Sequence, residues 1–339
     1  MSSAPSPDEI ARDATWLVQA LDPSAGAVRL IAMNRESYRA ASFLDDRIMQ
    51  SPVDAQVVPW TDVEAAATDD MRCDARWIFH IGHVGSTLVS RLLGELPGVL
   101  GIREPRLLRD LSLIPAEIRG RYITSVPRLM SRTFAEDECA CLKVTSFGSE
   151  IAEQLVPPGE RALFMFASPA NYVASILAGE NSVKELRVLA ETRASRMADR
   201  VSGLDQARQS DAHLAAAAWA CEMTSLESAA ERMADRRIMW ADFDRLLADM
   251  KAGLSRAAEH FRLAGSAEQV AAIATGPLMR RYSKALEYDY SPALRRDLIA
   301  EAAHHHRRDI DSALAMLRSA AEKSPLLARA LSRAEGSRG

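Results

Sequence analysis

The stretch from Trp77 to Leu93 constrains this chain more than any other. An apolar run, Trp77-Ile-Phe-His-Ile81, ends in the turn Gly82-His-Val-Gly85, and Ser86-Thr87 then open a run whose apolar residues recur at helical spacing. That order is the sequence form of a buried parallel strand feeding a phosphate-cradling loop and a helix N-terminus, where unpaired backbone N–H groups favour an anion. A nucleotide triphosphatase carries G-x-x-x-x-G-K-[ST] at such a place. Aligning the final glycine with Gly85 puts Ser86 at the lysine position and His80 at the first glycine position. The charge that reaches a transferring phosphate is then missing, which disfavours an ATP-dependent phosphotransferase of standard form. The N–H nest with the hydroxyls of Ser86 and Thr87 still suits a less demanding phosphate, such as the 5′ group of a nucleotide.

The same strand, turn and helix grammar recurs. Val99 to Ile102 reads as a short buried strand left through Arg103-Glu-Pro105, Cys139 to Val144 as a strand carrying Lys143 near its end, and Arg161 to Ala167 as the clearest buried strand. Arg237 to Trp240 reads as a last short strand. Strands alternating with helical segments predict an α/β protein with three layers, α/β/α, around a central parallel sheet. Residues 76–265 form the expected core, 1–75 a lead-in packed on it, and 266–339 a loop and helical extension. Within the lead-in, residues 1 to about 10 read as a frayed tail, Ala11 to Leu21 as a helix, Val28 to Met33 as a strand and Glu36 to Leu44 as a helix. Arg47 reads as a structural ion pair with its acidic neighbours. Residues 183–233 read as helical with a polar break near 203–211. A long helix is expected from Pro292 to about 322, with a frayed tail beyond Pro325.

Composition narrows the function classes. Hydrophobic residues make up 48% and charged residues 26% of 339, and the formal net charge is −4, ordinary for a globular protein and giving no global case for nucleic acid or an anionic membrane surface. No apolar run approaches a membrane span, and residues 1–10 are polar and rich in Pro and Ser, so a cytoplasmic location is expected. The four cysteines form neither a CxxC nor a dense framework. Only five of the 42 basic residues are lysines, which makes Lys143 inside an apolar strand informative. His304-His-His306 occupy consecutive helical positions and point in different directions, so they do not converge on one ion; no metal is expected.

Phe79-His-Ile-Gly-His-Val-Gly-Ser-Thr-Leu88, Arg91-Leu-Leu93, Pro97-Gly98 and Arg103-Glu-Pro105 resemble the opening of bacterial sulfotransferases that use 3′-phosphoadenylyl sulfate (PAPS). Leu142-Lys-Val144, Ser168-Pro169 with Ser175, and Trp240-Ala-Asp-Phe243 resemble the family's later segments in order and approximate spacing. The resemblance covers about residues 77–262 and implies a P-loop-like sulfotransferase fold. It also implies that Gly82, His83, Val84, Gly85, Ser86 and Thr87 wrap the donor's 5′-phosphosulfate, that Ser175 contacts its 3′-phosphate, and that Glu104 is the base that deprotonates the acceptor. Two positions depart from the family pattern: His83 stands where a Lys or Arg is usual inside the turn, and Ala167 where an Arg is expected eight residues before Ser175. His83, its charged form favoured by a dianionic neighbour, would replace the first cation. Arg280, Arg281 and Lys284, in a late loop, are the candidates to replace the second.

The expected function is therefore transfer of a sulfuryl group from PAPS to a hydroxyl or amine of a small-molecule acceptor, with Glu104, His83 and Lys143 as catalytic residues and Arg281, Lys284 and Ser175 among the donor contacts. The main alternative is a non-catalytic relative that binds a nucleotide or another anion as a regulatory or assembly module, and Ala167 speaks for it. The long C-terminal helix offers a surface for a homo-oligomer.

Overall fold

The computed structural model describes residues 4–204, 207–285 and 287–336. Five strands, β4 (Arg76–His80), β5 (Val99–Arg103), β6 (Cys139–Lys143), β7 (Arg161–Phe166) and β8 (Arg237–Asp242), form one wholly parallel sheet in the order β5-β6-β4-β7-β8. A parallel sheet is covered on both faces, so its strands read as nearly unbroken apolar runs. Four of the five residues of β4, β5 and β6, and five of the six of β7, are buried. The Ser86–Leu93 and Met250–Phe261 helices pack together against the sheet, and the Asp211–Arg232 helix crosses β4. This is the expected three-layer arrangement with β4 at its centre. The chain passes from β4 to the outer strand β5, returns through β6, and only then crosses to β7. The carboxyl end of β4 thus lies where the winding reverses, the place at which open parallel sheets bind ligands.

The lead-in is a second sheet. Strands β1 (Trp16–Asp22), β2 (Ala27–Ala32) and β3 (Ala55–Pro59) pair as an antiparallel meander in that order. The helix expected over Ala11–Leu21 is instead a short helix, Pro7–Arg12, followed by β1. Leu17 through Leu21 are all buried, and such an apolar run fits a strand or a buried helix equally well by periodicity alone. The sharp turn through Gly26, with φ 59°, decides for the strand by folding the chain back onto it. The expected N-terminal fraying also fails within the described residues. Ser6 and Glu9 form a capping box and Ile10 is fully buried; residues 1–3 lie outside the described range.

At the other end, the long helix expected after Pro292 is two helices, Pro292–His305 and Arg307–Ala321, separated at His306. The tail beyond Pro325 is a helix, Pro325–Gly336, with Leu327, Ala330 and Ala334 buried. Arg333 anchors it, donating to Glu227 Oε2 at 3.1 Å and lying 3.8 Å over the Trp240 ring. Its apolar stripe was too short to read as a packed helix from sequence. The expected break at 203–211 falls between the Ala190–Met197 and Asp211–Arg232 helices, with residues 205 and 206 outside the described range. One continuous apolar core takes in residues from the lead-in, the parallel-sheet layer and the C-terminal helices.

Candidate active site

The turn after β4 is held in left-handed backbone. Gly82 has φ 78°, His83 φ 53° and Gly85 φ 61°. Gly85 is required twice over: the left-handed region favours glycine, and a Cβ there would run into the Phe243 ring. The turn ends as the N-terminus of the Ser86–Leu93 helix, with Ser86 and Thr87 almost wholly buried beneath it. His80, the last residue of β4, is also buried, and its Nδ1 accepts the Gly82 N–H at 2.9 Å. That acceptance fixes the tautomer, with the proton on Nε2, and burial lowers the imidazole's affinity for a second proton. Nε2 lies 3.6 Å from Glu104 Oε1 and is buried without a hydrogen-bond partner.

Glu104 and Lys143 come from the ends of adjacent strands. The Glu104 N–H donates to the Lys143 carbonyl at 2.7 Å, and the two side chains form an ion pair through Lys143 Nζ and Glu104 Oε1. Lys143 is 1% exposed, so the pair is desolvated. Burial alone would raise the Glu104 carboxyl; the Lys143 ammonium, with help from His80, overcomes this and holds it below the usual carboxylate range. Glu104 has φ 52°, a conformation that costs a non-glycine residue about 1–3 kcal/mol. Among the described residues three non-glycines have positive φ, and two of them, His83 and Glu104, are in this site.

The arginines that flank Glu104 in sequence are engaged elsewhere. Arg103 points away and donates to the Ala41 carbonyl at 2.8 Å, and Arg106 pairs with Asp46 and Asp110. Arg91, buried in the Ser86–Leu93 helix, binds the Arg39 carbonyl at 3.0 Å and the Ser42 hydroxyl at 2.7 Å, and on its other side the Ser283 carbonyl at 2.9 Å. Together Arg91 and Arg103 pin segment 39–44 of the lead-in over the sheet. Arg47 is thereby brought into the site. It forms the expected ion pair, with Asp45, but it also stacks 3.3 Å over Phe43 and reaches within 3.8 Å of Glu104 Oε2.

Two cavities meet at the turn. The first, about 410 Å³, has Gly82, His83, Gly85, Ser86, Thr87, Glu104 and Lys143 in its wall. Arg47, Arg109, Arg193 and the apolar side chains of Phe43 and Phe147 complete it. The second, about 240 Å³, holds Ser175 and Arg281 and shares His83, Gly85, Ser283 and Lys284 with the first. The structure therefore gathers the expected residues into one region and divides them between two compartments. Val84 is the exception: its side chain is wholly buried in the core, which leaves only its backbone for a ligand. Arg280 lines neither cavity.

The positive charge expected of His83 beside a dianion is absent from the unliganded site. Burial, together with the nearby cations Lys284 and Arg193, pushes its pKa down to about 3, so the imidazole of the unliganded site is neutral at physiological pH. Ala167 is fully packed, and its carbonyl accepts the Trp219 indole N–H at 2.9 Å; no cation enters from that position. His80, Arg109, Arg193 and Arg295 escaped the sequence reading. His80 carried a signal, a polar residue closing an apolar strand. The arginines carried none in a chain so rich in arginine.

Among the described residues no group of three or more His, Cys, Asp or Glu side chains is placed to hold a metal ion, and no helix is long and apolar enough to cross a membrane. By sequence the chain matches no protein-family model and no curated protein. Among solved structures it is similar to a sulfotransferase domain from the curacin biosynthetic pathway (11% identity, covering 64% of this chain and 83% of the other, TM-score 0.41). It is also similar to the sulfotransferase domain of the Synechococcus olefin synthase (15%, 68% and 85%, TM-score 0.39) and to a sulfotransferase from Mycobacterium avium (13%, 70% and 78%, TM-score 0.38).

Proposed function

We propose that this protein transfers a sulfuryl group from PAPS to a hydroxyl or amine of a small-molecule acceptor. The observation that carries the reading is the Glu104–Lys143 pair. A carboxylate and an ammonium stand together at the ends of neighbouring strands, in one cavity with a left-handed glycine turn and a helix N-terminus. Anion-binding turn, base and cation are the parts an in-line group transfer between two oxygens needs.

In this reading the turn amides and the Ser86 and Thr87 hydroxyls hold the 5′-phosphosulfate, and the acceptor enters between Phe43 and Phe147. Glu104 takes the proton of the acceptor hydroxyl as its oxygen bonds to sulfur. The bond from sulfur to the phosphate oxygen breaks, and the released phosphate keeps that electron pair, its added charge offset by Lys143. Unliganded, Glu104 is a weak base because Lys143 holds it ionised. The donor's oxygens compete for the same ammonium, which returns basicity to Glu104 once the donor is in place. His83, neutral in the unliganded site, hydrogen-bonds the donor's anionic end.

A second reading, a nucleotide- or anion-binding module without turnover, is favoured by the packed Ala167 and the neutral His83. Incubation with PAPS and a panel of phenols, alcohols and amines, with release of adenosine 3′,5′-bisphosphate as the readout, separates the two. Acceptor-dependent release that falls about 100-fold or more in Glu104→Gln, with the nucleotide still bound, supports the transferase. Tight nucleotide binding with no release under any acceptor supports the module.

A further inference from the structure

The wall of the first cavity holds, among the described residues, six cationic side chains against three carboxylates. Four of the cations have a carboxylate partner. Arg47 pairs with Asp45 and Lys143 with Glu104, Arg106 is held by Asp46 and Asp110, and Arg193 by Glu222. The third carboxylate of the wall, Glu185, acts through space on Arg47. Two cations are left over. Lys284 belongs to the turn, where it acts on His83. Arg109 stands beside Phe147 instead, its guanidinium 5.9 Å from the ring centre, and among the described residues it makes no hydrogen bond and no ion pair.

The chain ties Arg109 to Glu104. Pro105 ends the strand and the Arg106–Leu113 helix follows at once, with Leu107, Leu108 and Leu111 buried. Arg106 and Arg109 are three residues apart and share the opposite face, and Arg106, fixed by Asp46 and Asp110, holds that face to the cavity. Phe147 also meets Arg196 at 4.6 Å, but Arg196 is engaged by Glu150 and Glu222. Aromatic surface from Phe43 and Phe147 beside an unpaired guanidinium suits a small apolar body that carries an anion, and the planar fork of arginine matches a carboxylate. A cationic acceptor would meet the surplus of positive charge instead. The volume of about 410 Å³ has to take the donor's sulfuryl end as well, so the acceptor is small.

We infer that the acceptor is a small phenol or alcohol bearing a carboxylate, which Arg109 reads while the hydroxyl lies at Glu104. This rests on the transferase reading above and adds the acceptor's charge to it. The hydroxyl proton goes to Glu104 and the sulfuryl group to the hydroxyl oxygen, as before; the carboxylate takes no part in the bond changes.

Three phenols that differ in charge test this: p-hydroxyphenylpropionate, its primary amide and tyramine. Each is offered with PAPS to wild type, Arg109→Met, Arg109→Glu and Arg121→Glu, with kcat/KM read from release of adenosine 3′,5′-bisphosphate. Binding of each phenol, with and without that bisphosphate, is read by calorimetry. Wild type is expected to prefer the propionate to its amide about fivefold or more in both readouts, and to disfavour tyramine. Arg109→Met should bring the ratio of propionate to amide close to unity, and Arg109→Glu should turn the preference toward tyramine. Arg121 is exposed and lies outside the cavity, so Arg121→Glu should keep the wild-type ratio. A ratio that both Arg109 variants leave unchanged, or that Arg121→Glu lowers as much, overturns the role of Arg109. A wild type that shows no preference, or binds none of the three, overturns the acceptor class, and transfer to other acceptors would then leave the transferase reading standing. Propionate bound selectively through Arg109, with no bisphosphate released from PAPS, removes the acceptor role and the transferase reading together and leaves a carboxylate-binding module.

Discussion

Glu104 and Lys143 are joined twice, once through their backbones at 2.7 Å and once through their side chains. The strand pairing of β5 with β6 therefore sets the geometry of the charged pair, and the pair is buried because the sheet end is roofed by segment 39–44. Removing one partner leaves the other charge stranded, which costs about 3–5 kcal/mol for a buried ion pair. Lys143→Met is expected to lose that order of stability in chemical denaturation, and Glu104→Gln combined with Lys143→Met to recover part of it. Additive losses in the double variant would show that the two side chains are not coupled.

Gly85 faces both a backbone and a packing restriction. Gly85→Ala should destabilise the protein and abolish nucleotide binding, because the left-handed φ and the Phe243 ring oppose the added methyl together. Adding Phe243→Ala relieves the clash but not the backbone, so the double variant should regain stability only in part and binding not at all. Binding restored to the wild-type level would show that crowding alone mattered.

The buried charge network beneath the first cavity gives a stability test away from the chemistry. Glu222 is fully buried and takes Arg196 at 2.9 and 3.0 Å and Arg193 at 3.3 Å. Although burial raises its carboxyl, Arg196 and Arg193 hold the folded pKa below the usual value. A lowered folded pKa means the unfolded chain binds more protons, so this stabilisation is full above the ordinary glutamate range and fades as the pH falls toward the folded value. Glu222→Gln is expected to cost about 3–5 kcal/mol at pH 7 and to flatten the acid limb of the stability profile. An acid limb as steep as that of wild type would remove Glu222 from it.

His83 titrates far below its free value, at about 3 in the folded protein. Between about pH 6.5, where an unfolded histidine gains its proton, and 3, the unfolded chain holds the extra proton, and stability from this site is lost as the pH drops through that window. In proton NMR of the unliganded protein, His83 should show no titration between pH 5 and 8, and His83→Asn should weaken the acid dependence. A midpoint near 6 would restore it as a cation.

Much of the fold was legible because the parallel strands are buried on both faces and bounded by glycine and proline. The lead-in was less so. Trp16–Asp22 owes its strand to the hairpin partner Ala27–Ala32, and the Pro325–Gly336 helix owes its order to Glu227 and Trp240, contacts roughly ninety or more residues away in sequence for the latter. Of the site, Glu104 and Lys143 were readable as a carboxylate and a rare lysine at strand ends, but their pairing was not.

The sequence by itself determined the turn from Gly82 to Gly85, its helix, and the buried strand segments that alternate with helices, because local conformation and apolar patterning act over a few residues; the order of those strands in the sheet came from the tertiary structure. Tertiary structure decided the charges. His83 loses its proton to burial and neighbouring cations, Arg47 enters the site on a segment pinned by Arg91 and Arg103, and Arg295 arrives from a distant helix to pair with Asp244 at the wall of the second cavity. Ionisation and convergence depend on dielectric and distance between elements, and those exist only once the chain is folded.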